Sequence, residues 1–446
     1  MATNDYEKKK QRLMDELRNH EGNVIGIAKT TSNLFRDRAA SKKYRLGVGT
    51  LKNVLEINPE TRVAEIEAMA SYADIVDATL PHGVLPTVVP ELKSITIGGA
   101  VSGIGIESSS FKYGLAHEGV LEMEILLADG NTVIATPDNE HRDLFFAFPN
   151  SYGTFGYVLK LKIKLVPVRP YVRLTHVRYE DISSLFEGIN DLCNQDIDFL
   201  DGTVFGHGEM YVTTGKYVHE APYTSDYTYE NIYYHSIRRR ERDYLTILDY
   251  IWRWDTDWFW CSKNLFAEHA LVRALVGKSR LNSVTYTKIM RWNSRWRLTH
   301  RLNRLLGYHT ESVIQDVDIA IDKAPEFLDF FQREVGITPI WICPVRAYDK
   351  SRQFDLYAMD PSKIYINFGF WDEKKGRIQL SEGHYNRQIE QKVVELGGIK
   401  SLYSDSYFGP DEFWHQYNKA VYDKIKSRYD PQARLKDIYQ KCVLRQ

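Results

Sequence analysis

Cysteine is scarce in this 446-residue chain: there are four, Cys193, Cys261, Cys343 and Cys442, far apart in sequence. No CxxC, no HExxH and no Cys/His group has the spacing of metal ligands, so no metal site is expected. Reduced, buried thiols in a cytosolic protein are the expectation. A dominant charge is also missing. The formal net charge is −1, which leaves no global field to collect nucleic acid. No apolar run approaches the about 20 residues of a membrane-spanning helix. The opening MATNDYEKKKQRLMDEL is polar and is not a signal peptide. No GxxxxGK[ST] occurs, and Gly47-Val48-Gly49 runs on into Thr50, Leu51 and Lys52, which is not GxGxxG. No strand feeds the later glycines into a long helix, against a Rossmann site. With no Ser-His-Asp order either, hydrolysis and phosphoryl transfer have no motif here.

Substantial cores are affordable at 43% hydrophobic residues, and the length suggests two or three domains. The most informative stretch is Leu85–Val168. Its first half concentrates small residues: Gly98, Gly99, Ser102, Gly103, Gly105, Ser108, Ser109, Ser110 and Gly114. Such a run is either a set of ordinary turns or a backbone cradle whose N–H groups receive phosphate oxygens. A strand LEMEILLA, a turn at Asp129-Gly130 and a strand NTVIAT follow. Leu159, Leu161, Ile163 and Leu165 then alternate with Lys160, Lys162 and Lys164, which predicts a half-buried strand.

The run TIGGAVSGIGIESSSFKYG, then LLADG, then DLFFAFPNSYGTFGYV resembles the FAD-binding domain of the vanillyl-alcohol oxidase superfamily (PCMH type). IESSS followed by KYGL is similar to its Δ24-sterol reductase branch, and the resemblance resumes at DFLDG, TPIWICP, SLYSDSY and EFW. It is weakest between Glu220 and Glu311. It implies an α+β protein: a PCMH-type FAD-binding domain of two α/β subdomains over 1–168, an α+β substrate (cap) domain with an antiparallel sheet over 169–400, and a C-terminal segment, 401–446, returning to the first. The implied FAD contacts are Thr30, Thr31, Ser32 and Asn33 in a loop after an apolar strand, then Ile97, Gly98, Gly99, Ser102, Gly103, Ile104, Gly105, Glu107, Ser108, Ser109, Ser110, Gly156 and Val158. The loop at 30–33 has no histidine, unlike many relatives with covalent flavin, so noncovalent FAD is expected, with His117 the other attachment candidate. Animal members carry a membrane anchor ahead of this domain; from its polar opening, none is expected here.

The resemblance implies an FAD-dependent oxidoreductase that reduces an isolated C=C bond of a lipid, with NADPH as electron donor. The lipid is a sterol side chain or an unsaturated or methylene-branched fatty acyl chain. Two other readings stay open: an oxidase or dehydrogenase of an alcohol or sugar, and a flavin- or lipid-binding protein without turnover. Olefin reduction needs a buried acid. The candidates are His384, Tyr403, Asp405 and Tyr407, and after them Glu382. The aromatic run at Trp252–Trp260 reads as core, as the wall of an apolar pocket or as a bilayer contact. MRWNSRWRLTHRLNRLLGYH (290–309) is a basic amphipathic helix candidate. Its arginines, Arg291, Arg295, Arg297, Arg301 and Arg304, are a solvated face, a contact for anionic lipid or a site for a nicotinamide-cofactor phosphate. Peripheral association with the cytoplasmic face of a membrane is expected on the lipid reading.

Overall fold

The computed structural model describes residues 2–20, 25–29, 35–36, 44–265, 267–296, 303 and 306–446. The nominated Thr30, Thr31, Ser32 and Asn33, and Arg297, Arg301 and Arg304, lie outside the described residues, as do the side chains of Arg291 and Arg295.

A short parallel pair, β1 (Ile25–Ile27) and β2 (Tyr44–Leu46), flanks the loop expected at the pyrophosphate. The first large sheet uses β3 (Val54–Asn58), β4 (Val63–Glu67), β5 (Val84–Pro86), β6 (Val120–Leu126), β7 (Thr132–Ala135) and β8 (Tyr157–Pro167). Its order is β3-β4-β8-β6-β7, with β5 on the end of β8, and every pair is antiparallel. The leucines of β8 are buried and its lysines half-buried, as alternation requires. Those lysines meet carboxylates of neighbouring strands, Lys160 with Glu65 at 2.7 Å and Lys162 with Glu122 at 3.1 Å. The helix Ala2–Arg18 covers this charged face, with the Tyr6 hydroxyl donating to Glu124 at 2.7 Å.

The second sheet uses β9 (Tyr171–Tyr179), β10 (Phe199–Gly206), β11 (Glu209–Val218), β12 (Arg242–Thr246), β13 (His309–Ala320), β14 (Ile340–Arg346), β15 (Ile364–Gly376) and β16 (Ile399–Lys400). Its order is β12-β9-β11-β10-β14-β15-β13-β16, again antiparallel throughout. One face packs on the helices Ile182–Leu192, Ala324–Phe330 and His384–Glu395 through Phe186, Phe327, Phe368 and Ile389. The other face carries Trp341, Cys343 and Tyr365 into the core that it shares with the first sheet. Helices at 410–416 and 419–429 bring the chain back, and Lys426 donates to the Thr154 carbonyl at 2.6 Å.

Two expectations change. Gly98 and Gly99 do not lie in an open loop: Ile97–Ser102 is helical, capped by Thr96, whose hydroxyl accepts from Gly99 N. The glycines let this turn press on the chain behind it, since a Cβ at Gly98 would stand 2.8 Å from the Ala68 carbonyl oxygen. The aromatic run is core, not a bilayer surface: Trp254, Trp258 and Trp260 are each at most 3% exposed. Three indoles inside the fold cannot insert into lipid.

Candidate active site

The helix Ile97–Ser102 ends against the loop that precedes β8. Tyr152 N donates to the Ser102 carbonyl at 2.8 Å and Asn150 N to the Gly103 carbonyl at 3.2 Å. Onto the Tyr152 ring packs the guanidinium of Arg36, 4.8 Å from its centroid. Arg36 also donates to the Leu402 carbonyl at 2.6 Å. Phe35 N donates to the Tyr403 carbonyl at 2.9 Å, and Phe35 and Ser404 form a parallel bridge. The residues that leave the 30–33 loop are thus held between the glycine segment and the SLYSDSY segment.

On the side of the second sheet this junction is faced by Asp316. On β13, Val313, Val317 and Ile319 point into the helix-packed core, so Asp316 and Asp318 point the other way. Asp316 lies opposite Gly369 on β15; a Cβ there would stand 2.7 Å from Asp316 Oδ1 and 2.4 Å from the Trp371 ring. The missing side chain makes room for both. The Trp371 indole donates to the Tyr403 hydroxyl at 2.8 Å, and that hydroxyl shares a hydrogen bond with the Asp316 carboxyl. Loss of hydration, then the charge of Asp318, pushes the Asp316 carboxyl up to about 8, against the pull of Tyr403. The shift favours its neutral, proton-donating form near pH 7. Asp318 is pushed up to about 6 by burial and is bonded by the Tyr357 hydroxyl. Phe35 meets Tyr403 edge-on and Trp258 at a tilt, at 5.9 Å and 5.8 Å between centroids, and Phe259 lies 4.8 Å from Trp371. The aromatic run, itself core, thus borders this junction through Trp258 and Phe259.

Buried polar atoms seldom lack partners. Here Asn150 Oδ1, Ser151 Oγ, Tyr152 OH, Asp316 Oδ1, Ser401 Oγ and Ser404 Oγ all lack one among the described residues. They are carried by the segments that converge at this junction. A ligand with a ring edge, a ribityl chain and a pyrophosphate has the hydrogen-bonding capacity to satisfy such a set, so the residues present fit FAD. Lys29, just ahead of the 30–33 loop, lies on the open side of Gly99, its Nζ 4.0 Å from where a Cβ would be.

The nominated residues divide. Gly98, Gly99, Ser102, Gly103 and Ile104 lie on or just after the short helix. Gly105 is hemmed in by protein, with Ala116 and Ala100 at 2.9 and 3.1 Å from a notional Cβ. Gly156 serves close approach to β6, 2.7 Å from the Leu126 carbonyl on the same measure, and Val158 stands against Gly98. The side chains of Glu107–Ser110 turn to protein partners: Ser108 to the Tyr250 hydroxyl at 2.8 Å, Ser109 to the Thr87 carbonyl at 2.9 Å, and Ser110 to Glu107 N at 3.1 Å. Glu107 receives Arg253, which also bonds Asp201 at 2.8 Å and pairs with Glu91, all fully or nearly buried. IESSS is thus a fastening between the two sheets, strengthened by Leu200 N donating to the Ser108 carbonyl.

Of the acid candidates, Tyr403 is at the junction. Asp405 pairs with Arg445 at 3.3 Å. Tyr407 lies over Gly383 and its backbone N–H donates to the Glu390 carboxylate, while His384 opens the helix His384–Glu395 beside Tyr385, and Glu382 is exposed. His117 is buried against Phe354, its ring pushed down to about 3 by loss of hydration. Asp316 is the acid that sequence reading missed; the available signal was two aspartates two residues apart in an apolar strand.

Residues 7–136 match the model of a family described as FAD binding domain. Along most of its length the chain is similar to Delta(24)-sterol reductases. It is 26% identical over 412 residues to that of Homo sapiens, covering 88% of this chain and 76% of the relative. It is 27% identical over 445 residues to that of Arabidopsis thaliana, covering 91% and 77%. A shorter match, 34% identical over 138 residues, is to cytokinin dehydrogenase 7 of Oryza sativa subsp. japonica and covers 30% of this chain and 26% of the relative. The chain carries an FAD-binding domain in a mixed α/β architecture with antiparallel sheets, as the resemblance implied.

Proposed function

We propose that this FAD-binding chain is an oxidoreductase that reduces an isolated C=C bond of a lipid, a sterol side chain or a branched fatty acyl chain, with NADPH as donor. The observation that carries the reading is Asp316: a carboxyl whose neutral form is favoured near pH 7, hydrogen-bonded to Tyr403, among aromatic rings at the junction of the two sheets. Similarity to Delta(24)-sterol reductases over about nine-tenths of the chain supports the substrate class. FAD, when bound, supplies the hydride.

The protein's part is to hold the olefin, exclude water and deliver a proton. Asn150, Tyr152, Ser401 and Ser404 offer the polar atoms that would hold the cofactor. Phe35, Trp258, Phe259 and Trp371 form the apolar wall against which an uncharged chain is bound. An isolated olefin has no carbonyl to polarise it, so protonation at one carbon must accompany hydride arrival at the other. Asp316 gives that proton, and Tyr403 and Trp371 hold the carboxyl in place. The 169–400 segment acts as the substrate-covering unit in this scheme.

Asp316→Asn tests it. The variant should bind flavin as wild type does and lose about 10²-fold or more in olefin reduction, the usual scale for a lost general acid. In wild type the donor is the protonated form, so the rate should fall as pH rises through about 8. Wild-type turnover in the Asn variant would remove Asp316 from the mechanism.

A second prediction concerns attachment. With no histidine in 30–33 and His117 packed on Phe354, FAD should leave the chain on denaturation. Flavin fluorescence that stays with the polypeptide in a denaturing gel would contradict it.

A further inference from the structure

The helix Ala270–Val276 is amphipathic in the wrong sense for a soluble protein. Leu271 is 69% exposed and Leu275 85%, with Ala274 exposed between them, while Arg273 is 4% exposed. The three outward residues share one face at i, i+3 and i+4. Rolling the helix over would bury the leucines, but Arg273 prevents it. Its Nε donates to the Tyr229 carbonyl at 2.7 Å and its Nη1 to the Ala267 carbonyl at 3.2 Å, and it faces Asp257 at 3.5 Å. Turning Arg273 out would strand buried Asp257, a costly change.

The charge around this helix is equally one-sided. From His269 to Thr310 the sequence has no Asp or Glu and nine Arg or Lys, in a chain of net charge −1. Lys278, Arg280 and Lys288 are exposed; Asp226 is the acid beside Lys278, at 3.6 Å and itself exposed. The next helix, Ser283–Trp296, adds exposed Val284 and Ile289. Both helices pack inward, through Val276 and Tyr286, on the small cluster containing Trp258, whose ring neighbours Phe35.

We propose that this face docks on an anionic lipid bilayer, with Leu271 and Leu275 inserted among the acyl chains and Lys278, Arg280 and Lys288 at the headgroups. Two protruding leucines flanked by cations match an interfacial helix better than a protein interface. The surface differs from the one expected at Trp252–Trp260, which is core. It lies behind the cluster that borders the candidate active site, so an apolar substrate would be collected next to the site that uses it.

The test is cosedimentation of the full-length flavoprotein with phosphatidylcholine vesicles, with and without phosphatidylserine, at low and high salt. Sedimentation reads no turnover, so its outcome is independent of the reductase reading. The wild type should sediment with the phosphatidylserine vesicles, less so at high salt. Leu271→Ser/Leu275→Ser should bind at least about tenfold more weakly, two buried leucines being the lost insertion, with unchanged melting temperature and flavin absorbance. Lys278→Glu/Arg280→Glu should lose the salt-sensitive part. The proposal is overturned if the wild type stays in the supernatant with both vesicles or if the double-serine variant sediments equally well. It is also overturned if gel filtration shows an oligomer that the serine substitutions dissociate, because the face is then a protein interface.

Discussion

Arg253 shows how much one residue can do in this fold. It sits among Glu91, Glu107 and Asp201, on three separate stretches of chain, with its guanidinium 4.2 Å from the centre of the Tyr250 ring. Burial pushes the Glu91 carboxyl well up, and the positive charge of Arg253 opposes that. Removing one member of such a buried set leaves the rest unpaired, which costs about 3–5 kcal/mol. Arg253→Leu should therefore lower stability by that order in urea unfolding, whereas a loss under 1 kcal/mol would mean that the carboxylates find other partners. In sequence Arg253 was hidden among tryptophans in IWRWDTDWFW, where nothing separates a buried cation from an exposed one. Asp316 was hidden in the opposite way. In SVIQDVDIAID alternate aspartates read as the wet face of a strand, and only the packing of one sheet against another segment makes that face dry.

At the scale of elements, β8 and the β6–β7 turn were legible because their patterns are local: period-two alternation, and Asp129-Gly130 with Gly130 at φ 84°. The helix Ile97–Ser102 was not. Two glycines lower helix propensity, and what overrides it is a tertiary contact, the press of Gly98 on Ala68. Strand β15 makes the same point at the candidate active site. Gly369 has no left-handed backbone to explain it; its place is set by Asp316 and Trp371 on either side. Gly369→Ala should push the Trp371 ring off Tyr403 and disturb Asp316. The expected result is at least a tenfold loss of turnover with flavin content unchanged. A variant as active as wild type would show that this corner of the sheet has slack that the geometry does not suggest.

For the whole molecule, the glycine segment lies with the first sheet, the second sheet supplies Asp316 and Trp371, and Phe35, Trp258 and Phe259 come from segments between strands. The fastening at Glu107–Ser110 and Arg253 ties the two sheets together, so the IESSS run has a structural role. That role could not be read from sequence, because the partners Asp201 and Tyr250 are about a hundred or more residues away. Among the described residues no helix is long and apolar enough to cross a membrane. The central claim is tested most directly by following the flavin absorbance of the purified protein without oxygen. NADPH should bleach it, and adding a sterol with a side-chain double bond or an unsaturated or methylene-branched fatty acyl lipid should restore it, with the saturated lipid recovered. Bleaching by an alcohol or a sugar in the absence of NADPH, with recovery on admitting oxygen and none on adding an olefinic lipid, would contradict the account.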